Sequence, residues 1–233
     1  MARKTRSPEV VEKIKDHIIG EAMKLIIDIG FNNMSIRKLA QRLGMSPTNI
    51  YYYYASQDEI YLNIQIKGFK ALQTILEQSS QQEKDPYIGL EKIIRAYLEF
   101  GFTHPDYYQI MLNSDTPRYL EYKGNKIEPI ALKAKQMAID AITVPLKVIE
   151  NICALNPAVP TQDIEFRAYQ IWITLHGMVT LNNRNILQEL EEIPEKLIAR
   201  MCEELMLPFH PPKQIQPESK NDEDKKNEDK CIK

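Results

Sequence analysis

Several classes of protein are excluded by what the sequence lacks. Its 233 residues include only 8 glycines, 3 cysteines and 1 tryptophan. The cysteines, Cys153, Cys202 and Cys231, are odd in number and widely spaced, which indicates free thiols in a reducing compartment rather than a disulfide framework or a zinc site. No apolar run approaches the ~18 residues that cross a bilayer, and no apolar stretch of a signal peptide follows the basic residues 1–6. We therefore expect a cytoplasmic protein that does not associate with membranes.

Sequence signatures of catalysis are missing as well. The four histidines, His17, His104, His176 and His210, have no nucleophile or metal ligands at a useful spacing. A glycine-rich phosphate loop, an HExxH pair and a CxxC pair are all absent from the sequence. The sequence therefore predicts that the protein is not an enzyme and needs neither a cofactor nor a metal ion.

The residues that are present favour helices. Hydrophobic residues make up 43% of the chain, and the stretches between prolines are rich in helix formers, with little of the alternation that a half-buried strand shows. The first helix is expected over residues 8–29, with Ser7 as its N-cap, Pro8 in its first turn and Gly30 as a left-handed C-cap. Its apolar stripe is formed by Val11, Ile14, Ile18, Ala22, Leu25, Ile26 and Ile29. We predict an all-α fold.

Residues 35–57 have the pattern of a helix-turn-helix. A short helix over residues 35–43 is followed by a turn at Gly44 and a second short helix over residues 47–53, for which Ser46 is the N-cap. Ala40 is the small residue that allows two helices to cross closely, and Gly44 can adopt the left-handed turn. The residues expected to face inward are Ile36, Leu39, Leu43, Met45 and Ile50.

The outer face of the second short helix is too polar and aromatic to be only structural. Thr48 and Asn49 can bond base edges, and the tyrosines at positions 51–53 can bond phosphates or pack on thymine methyl groups. An alternative is that some of these tyrosines are core aromatics, and we expect this of Tyr54. Arg37 begins the preceding helix, where the helix dipole assists a phosphate contact.

The charge distribution agrees weakly with a DNA-facing head. Residues 1–62 hold nine Lys/Arg against seven Asp/Glu, while the remainder of the chain holds 21 against 25. Arg3, Lys4 and Arg6 form a basic arm that could follow a phosphate ridge or enter the minor groove, or could equally be a solvated terminus.

The segment from Gly30 to Tyr54, which reads GFNNMSIRKLAQRLGMSPTNIYYYY, resembles the DNA-binding head of the tetracycline-repressor (TetR/AcrR) family. The resemblance implies recognition of double-stranded DNA through the second short helix and a phosphate contact at Arg37. The family usually has a lysine at the start of the fourth helix, where this chain has Gln57, so the charge of that contact is lost. The candidate DNA-contacting residues are Arg3, Lys4, Arg6, Ser35, Arg37, Ser46, Thr48, Asn49, Tyr51, Tyr52, Tyr53 and Gln57.

Beyond the head, the periodicity predicts a connecting helix and a helical body. Ser56 caps the connecting helix over residues 57–78, and a polar linker follows over residues 79–85. Pro145 is expected to kink or break its helix. The body helices are expected over residues 86–102, 105–112, 129–155, 163–181 and 194–207. We assign residues 8–56 to the head, 79–208 to a ligand-binding and dimerisation body, and 209–233 to a disordered charged tail.

Two segments of the body, His104–Met111 (HPDYYQIM) and Trp172–Met178 (WITLHGM), resemble the C-terminal domain of a subgroup named for its Trp/His-Gly motif. Trp172 and His176 are four residues apart and share a helix face. Together with aromatic and methionine residues they could surround an effector pocket, or they could simply be core. The candidate pocket residues are Phe100, Tyr107, Tyr108, Met111, Tyr169, Trp172, His176 and Met178.

The resemblance also implies how such a protein works. It suggests a homodimer in which the last two long helices pair, and a repressor that releases a palindromic operator when a small apolar or aromatic effector binds, with activation as an open alternative. Few charges are expected in the pocket, which favours hydrophobic or aromatic cations. The other functional classes are an enzyme with a helical cavity and a helical interaction protein without DNA binding. The expected seam residues are Ala168, Ile171, Leu175, Leu197, Met201 and Leu205.

Overall fold

The computed structural model describes residues 7–81, 83–114, 116–156 and 164–209. The predicted basic arm at residues 3–6 and most of the predicted tail, from residue 210 onward, lie outside these residues. Within the described ranges every regular element is helical and no strand occurs, so the predicted all-α fold is confirmed.

The helices follow one another in the predicted order. The elements are α1 (Pro8–Ile29), a 3₁₀ turn (Phe31–Asn33), α2 (Ile36–Leu43), α3 (Pro47–Tyr51), α4 (Gln57–Gln81), α5 (Pro86–Thr103), α6 (Pro105–Tyr108), a π-helical turn (Gln109–Asn113), α7 (Tyr119–Tyr122), α8 (Glu128–Leu155), α9 (Ile164–Asn183), α10 (Ile186–Leu190), α11 (Pro194–Met206) and a 3₁₀ turn (Leu207–Phe209).

Some predicted boundaries are wrong for local reasons. The first three residues of the predicted linker are helical, because α4 continues to Gln81 and the hydroxyl groups of Ser79 and Ser80 bond the carbonyl of Leu76. α8 is not interrupted at Pro145. The side chain of Ser7 makes no cap hydrogen bond to α1. The short helices α7 and α10 were not expected, since four or five residues carry too little periodicity to be recognised.

The helices enclose two adjoining hydrophobic cores. The head core contains Ile18, Leu39 and Ile50, and the body core contains Leu90, Ile149 and Leu175. α4 belongs to both, because its first half supplies Ile60 and other residues to the head core and its second half packs in the body core. Tyr122 and two alanines of α8 also lie in the head core, so the body is packed directly against the head.

Candidate DNA interface and effector cavity

The turn between α2 and α3 is built by short-range hydrogen bonds. Ser35 Oγ accepts from the backbone N–H of Lys38 at 3.2 Å, and Ser46 Oγ accepts from that of Asn49 at 3.2 Å, so each serine caps a helix. Gly44 adopts φ 62° and ψ 29°, the left-handed conformation that ends α2. These contacts confirm the predicted helix-turn-helix geometry.

Charged contacts hold α2 against α1. The Arg42 guanidinium donates to Glu21 Oε2 at 3.0 Å and to Asp28 Oδ2 at 2.6 Å. Bonds from Lys24 and then from Arg42 lower the pKa of Glu21. Arg42 therefore has a structural role within the head, because its guanidinium bonds two carboxylates of α1.

The outer face of α3 leaves large aromatic side chains in solvent. Tyr51 is 54% exposed and Tyr52 is 74% exposed, and Thr48 and Arg37 are also exposed. Asn49 is half-buried. Tyr51 is the last residue of α3 and Tyr52 is its C-cap, and two exposed tyrosines side by side give this end of the helix the character of an interaction surface.

Two of the predicted DNA-contacting residues are used inside the head. Tyr53 is only 7% exposed, and its ring meets the ring of Tyr52 edge to face at 5.1 Å between centroids. Gln57 Nε2 donates to the carbonyl of Phe31 at 2.8 Å. Since α3 ends at Tyr51, Tyr53 turns inward to the head core; Tyr54 lies there too, as expected, and burial raises its pKa.

The connection from α3 to α4 is braced by a reciprocal cap. Ser56 Oγ accepts from the N–H of Glu59 at 3.1 Å, and Glu59 Oε2 accepts from the N–H of Ala55 at 2.6 Å. Ser56 is therefore the cap that the sequence predicts. Only five residues separate the end of α3 from the start of α4.

The body contains a cavity of about 530 Å³. It lies among α4, α5, α8 and α9, and the segment 117–120 borders it. On α8 its wall is formed by small residues that recur at three- and four-residue steps and leave room beside the helix, namely Ala131, Ala134, Ala138 and Ala141. The volume lies in the ~300–1,000 Å³ range of small-molecule sites.

Most of the pocket residues predicted from the sequence do not line this cavity. Met111 and Trp172 do, whereas Phe100, Tyr108 and Met178 are buried in the core, and Tyr107 packs against both cores. Tyr169 points outward, because α9 turns Ala168, Ile171, Trp172 and Leu175 to the cavity. The alanine pattern of α8 was the signal that could have indicated the wall.

His176 lies beside the cavity in a buried polar chain. Its Nδ1 is 2.8 Å from Tyr108 Oη, which in turn is 3.0 Å from Tyr97 Oη, and Trp172 stacks on the imidazole. Burial lowers the pKa of His176 and raises that of Tyr97 to about 12. Only Tyr97 and Trp172 of this group face the cavity, so His176 is a half-buried, hydrogen-bonded residue that does not line it.

The predicted dimer seam is wrong for α9. Ala168, Ile171 and Leu175 line the cavity, and Met201 and Leu205 are partly buried against the body core, so of the six predicted residues only Leu197 is exposed. The opposite face of α9 carries exposed apolar side chains at steps of three and four residues. These are Phe166, Tyr169 and Ile173, the last of which is 61% exposed. Apolar side chains lie on two opposite faces of α9, so periodicity alone could not tell which of them is internal.

The described residues bring no three His, Cys, Asp or Glu side chains together as a metal-binding group. None of the helices in this part of the chain is both long enough and apolar enough to cross a membrane.

A capped helix-turn-helix with an exposed second helix, packed on a helical body with a cavity, is the architecture of a DNA-binding regulator. Two family models match the chain: "Bacterial regulatory proteins, tetR family" over residues 18–64, and "Tetracyclin repressor-like, C-terminal domain" over residues 90–205. The chain belongs to the tetR family of bacterial regulatory proteins. The predicted Trp/His-Gly subgroup stays a prediction.

Individual relatives are distant. The HTH-type transcriptional regulator Rv1816 of Mycobacterium tuberculosis is 22% identical over 113 residues, which cover 46% of this chain and 47% of that protein. The match thus spans about half the length of the curated relatives. A tetR-family regulatory protein from Rhodococcus RHA1 superposes with a TM-score of 0.65 at 17% identity, over 84% of this chain and 96% of its own. FadR from Bacillus subtilis, solved in complex with stearoyl-CoA, superposes with a TM-score of 0.64 at 13% sequence identity. That superposition covers 83% of this chain and 98% of the FadR chain.

These comparisons bear on the predicted class of protein. Members of the tetR family are DNA-binding transcriptional regulators, which agrees with the prediction that the chain is not an enzyme. At such low identities the solved structures establish the fold alone.

Proposed function

We propose that the protein is a homodimeric, ligand-responsive transcriptional repressor that binds a palindromic operator. The observation that carries this proposal is the exposed polar and aromatic face of α3 on a fully capped helix-turn-helix. A dimer would place two such helices in successive major grooves, ~34–36 Å apart. The proposal that the protein represses transcription, and does not activate it, comes from the family resemblance.

The individual contacts follow from the position of each side chain. Thr48 and Asn49 are near the N-terminus of α3 and would bond base edges, while Tyr51 and Tyr52 would contact phosphates and thymine methyl groups. Arg37 is exposed in the first turn of α2, where it would bond a phosphate with help from the helix dipole. The basic arm at residues 3–6 would add nonspecific phosphate contacts.

Dimerisation and effector binding are supported by two other features. The exposed apolar face of α9 is larger than a solitary surface residue would explain, and it offers a self-complementary contact about a two-fold axis. The cavity offers an effector site, and a related fold has been solved with a bound acyl-CoA. An effector that binds the DNA-free form better than the operator complex would release the operator by linkage.

The direct test is a gel shift with the DNA upstream of the gene that encodes the chain. We expect a saturable, salt-sensitive complex, which a Thr48→Ala/Tyr51→Ala variant loses and a Lys147→Ala variant keeps. Lys147 is an exposed lysine of α8 that is far along the chain from the head, and its replacement controls for the loss of an exposed side chain outside the recognition helix. Equal binding by all three proteins would contradict the assignment of α3 as the recognition helix.

A further inference from the structure

We propose that the cavity binds an amphiphile with an apolar chain and an anionic head group, a carboxylate or a phosphate, which Arg118 and Lys135 hold at the cavity mouth. The proposal rests on the proposed effector site and names the chemistry of its ligand. It differs from the sequence-based expectation of a hydrophobic cation.

The interior of the cavity is apolar. Leucine, isoleucine and alanine side chains from α4, α5, α8 and α9 form most of its wall. Its polar side chains are already engaged, since Gln65 Nε2 donates to Tyr61 Oη at 2.6 Å and Tyr97 Oη is 3.0 Å from Tyr108 Oη. A charged group placed in this interior would be desolvated without a counter-charge, so the interior suits a hydrocarbon chain.

The charged side chains that line the cavity are both cations. Among the described lining residues these are Arg118, beside α7, and Lys135, on α8, and both residues are exposed. Lys135 Nζ lies 4.8 Å from the centroid of the Tyr119 ring, which itself borders the cavity. The two cations therefore approach the same stretch of the mouth from two different elements.

Neighbouring carboxylates do not neutralise this pair. Glu121 accepts the backbone N–H of Arg118 at 2.8 Å, and Glu128 accepts the N–H of Gly124 at 2.8 Å and the hydroxyl of Tyr119 at 3.1 Å. Within the described ranges, neither Arg118 nor Lys135 forms an ion pair with a carboxylate. The only side-chain hydrogen bond of Arg118 in the described residues runs from Nη2 to the carbonyl of Ser114 at 3.4 Å, which leaves its charge uncompensated. Two cations without a carboxylate partner at the opening of an apolar chamber attract an anionic head and repel a cationic one.

The experiment compares head groups on one chain length. Full-length protein is titrated with decanoate, decyl phosphate, decanol and decyltrimethylammonium, each below its critical micelle concentration, while Trp172 emission and the heat of binding are recorded. Trp172 lines the cavity and is the only tryptophan, so its emission reports occupancy. We expect both anions to bind at least ten-fold more tightly than the alcohol and the cation, and the stronger of the two anions identifies the head group.

Variants locate the head group. The Arg118→Gln/Lys135→Gln variant should bind the two anions about ten-fold more weakly, a typical effect for the loss of charge-assisted contacts near solvent. Its affinity for decanol should be unchanged. Lys133→Gln removes an exposed charge from the same helix without lining the cavity, and should change nothing. Ala138→Trp, which fills the chamber, should abolish binding of every probe while circular dichroism shows an intact fold.

The outcomes separate this proposal from the proposed function. Operator binding without any preference for anionic probes would overturn the ligand assignment and leave the regulator intact. Preferential binding of decyltrimethylammonium would overturn it as well, in favour of the cationic class. Saturable binding of the anions by a protein that fails to bind operator DNA would support the ligand assignment and contradict the regulatory function.

Discussion

At the scale of single residues, adjacent tyrosines after the turn of the helix-turn-helix have different environments. Tyr52 is 74% exposed and Tyr53 is 7% exposed. We expect Tyr53→Ala to lower the free energy of unfolding by ~3–5 kcal/mol, the range for loss of a buried large aromatic side chain, and Tyr52→Ala to change it by less than ~0.5 kcal/mol. Urea unfolding measures both. A large loss of stability in the Tyr52 variant would mean that its ring supports the fold.

The DNA-facing residues should differ in whether they contact bases or phosphates. Asn49→Ala should relax sequence preference at one operator position, at a cost of ~1–3 kcal/mol for the lost base contact. Arg37→Ala should lower the affinity for all DNA sequences by the same factor, because a phosphate contact does not distinguish between bases. Binding-site selection with each variant distinguishes these effects. An unchanged motif bound with unchanged affinity by the Asn49 variant would remove that residue from the interface.

His176 should make stability depend on pH. Burial lowers its pKa from 6.5 in the folded protein, so below about pH 6.5 the unfolded chain binds a proton that the folded protein does not. The full free energy of unfolding is therefore retained above pH 6.5. It falls as the pH drops from there toward the pKa of His176 in the folded protein. We expect urea midpoints to decline in this window for the parent, and less steeply for His176→Gln. Parallel pH profiles for the two proteins would show that His176 does not contribute.

At the scale of elements, the segment 116–122 connects the cavity to the head. It carries Arg118 at the cavity mouth, and its Thr116 hydroxyl is hydrogen-bonded to Tyr61 of α4. Tyr122 Oη donates to Asp58, in the first turn of α4, at 3.0 Å. An effector that shifts this segment would therefore move the start of α4, which begins six positions after the last residue of α3.

This linkage predicts a variant that binds effector without responding to it. Thr116→Val/Tyr122→Phe removes both hydrogen bonds to α4. The affinity for the anionic amphiphile, measured by Trp172 emission, should stay within about two-fold of the parent. The change in operator affinity that the amphiphile causes should shrink toward zero. Thr143→Val, which removes a hydroxyl bond within α8, is the matched control. Full operator release by the double variant would show that the signal takes another route.

At the scale of the whole molecule, the exposed face of α9 should hold the dimer together. Phe166→Glu/Ile173→Asp puts charges in the proposed seam, where their desolvation without partners opposes association. We expect a monomer in sedimentation velocity, a native helical spectrum, and loss of operator affinity, since each half-site is then bound separately. Leu155→Asp, at an exposed apolar position that ends α8, should remain dimeric. A dimeric double variant would place the interface on another surface.

Local interactions explain why much of the head could be predicted. The serine caps, the left-handed Gly44 and the three-to-four-residue spacing of apolar side chains act within a few residues, so the sequence determined α1 and the helix-turn-helix almost to the residue. The long body helices were predicted for the same reason. The segment 116–122 was missed because a four-residue helix has no period to recognise.

The tertiary structure alone decided which side of each body helix faces the cavity. α9 carries apolar side chains on two opposite faces, and only its packing against α5 and α8 shows that Leu175 is internal and Ile173 external. Tyr53 and Gln57 look like surface residues in the sequence, yet Tyr53 is buried beyond the end of α3 and the half-buried Gln57 is bonded to the carbonyl of Phe31. Arg118 and Lys135 are 17 positions apart in the sequence, and both line one cavity because α7 packs on α8. Such juxtapositions depend on contacts between distant segments, and no local pattern of residues encodes them.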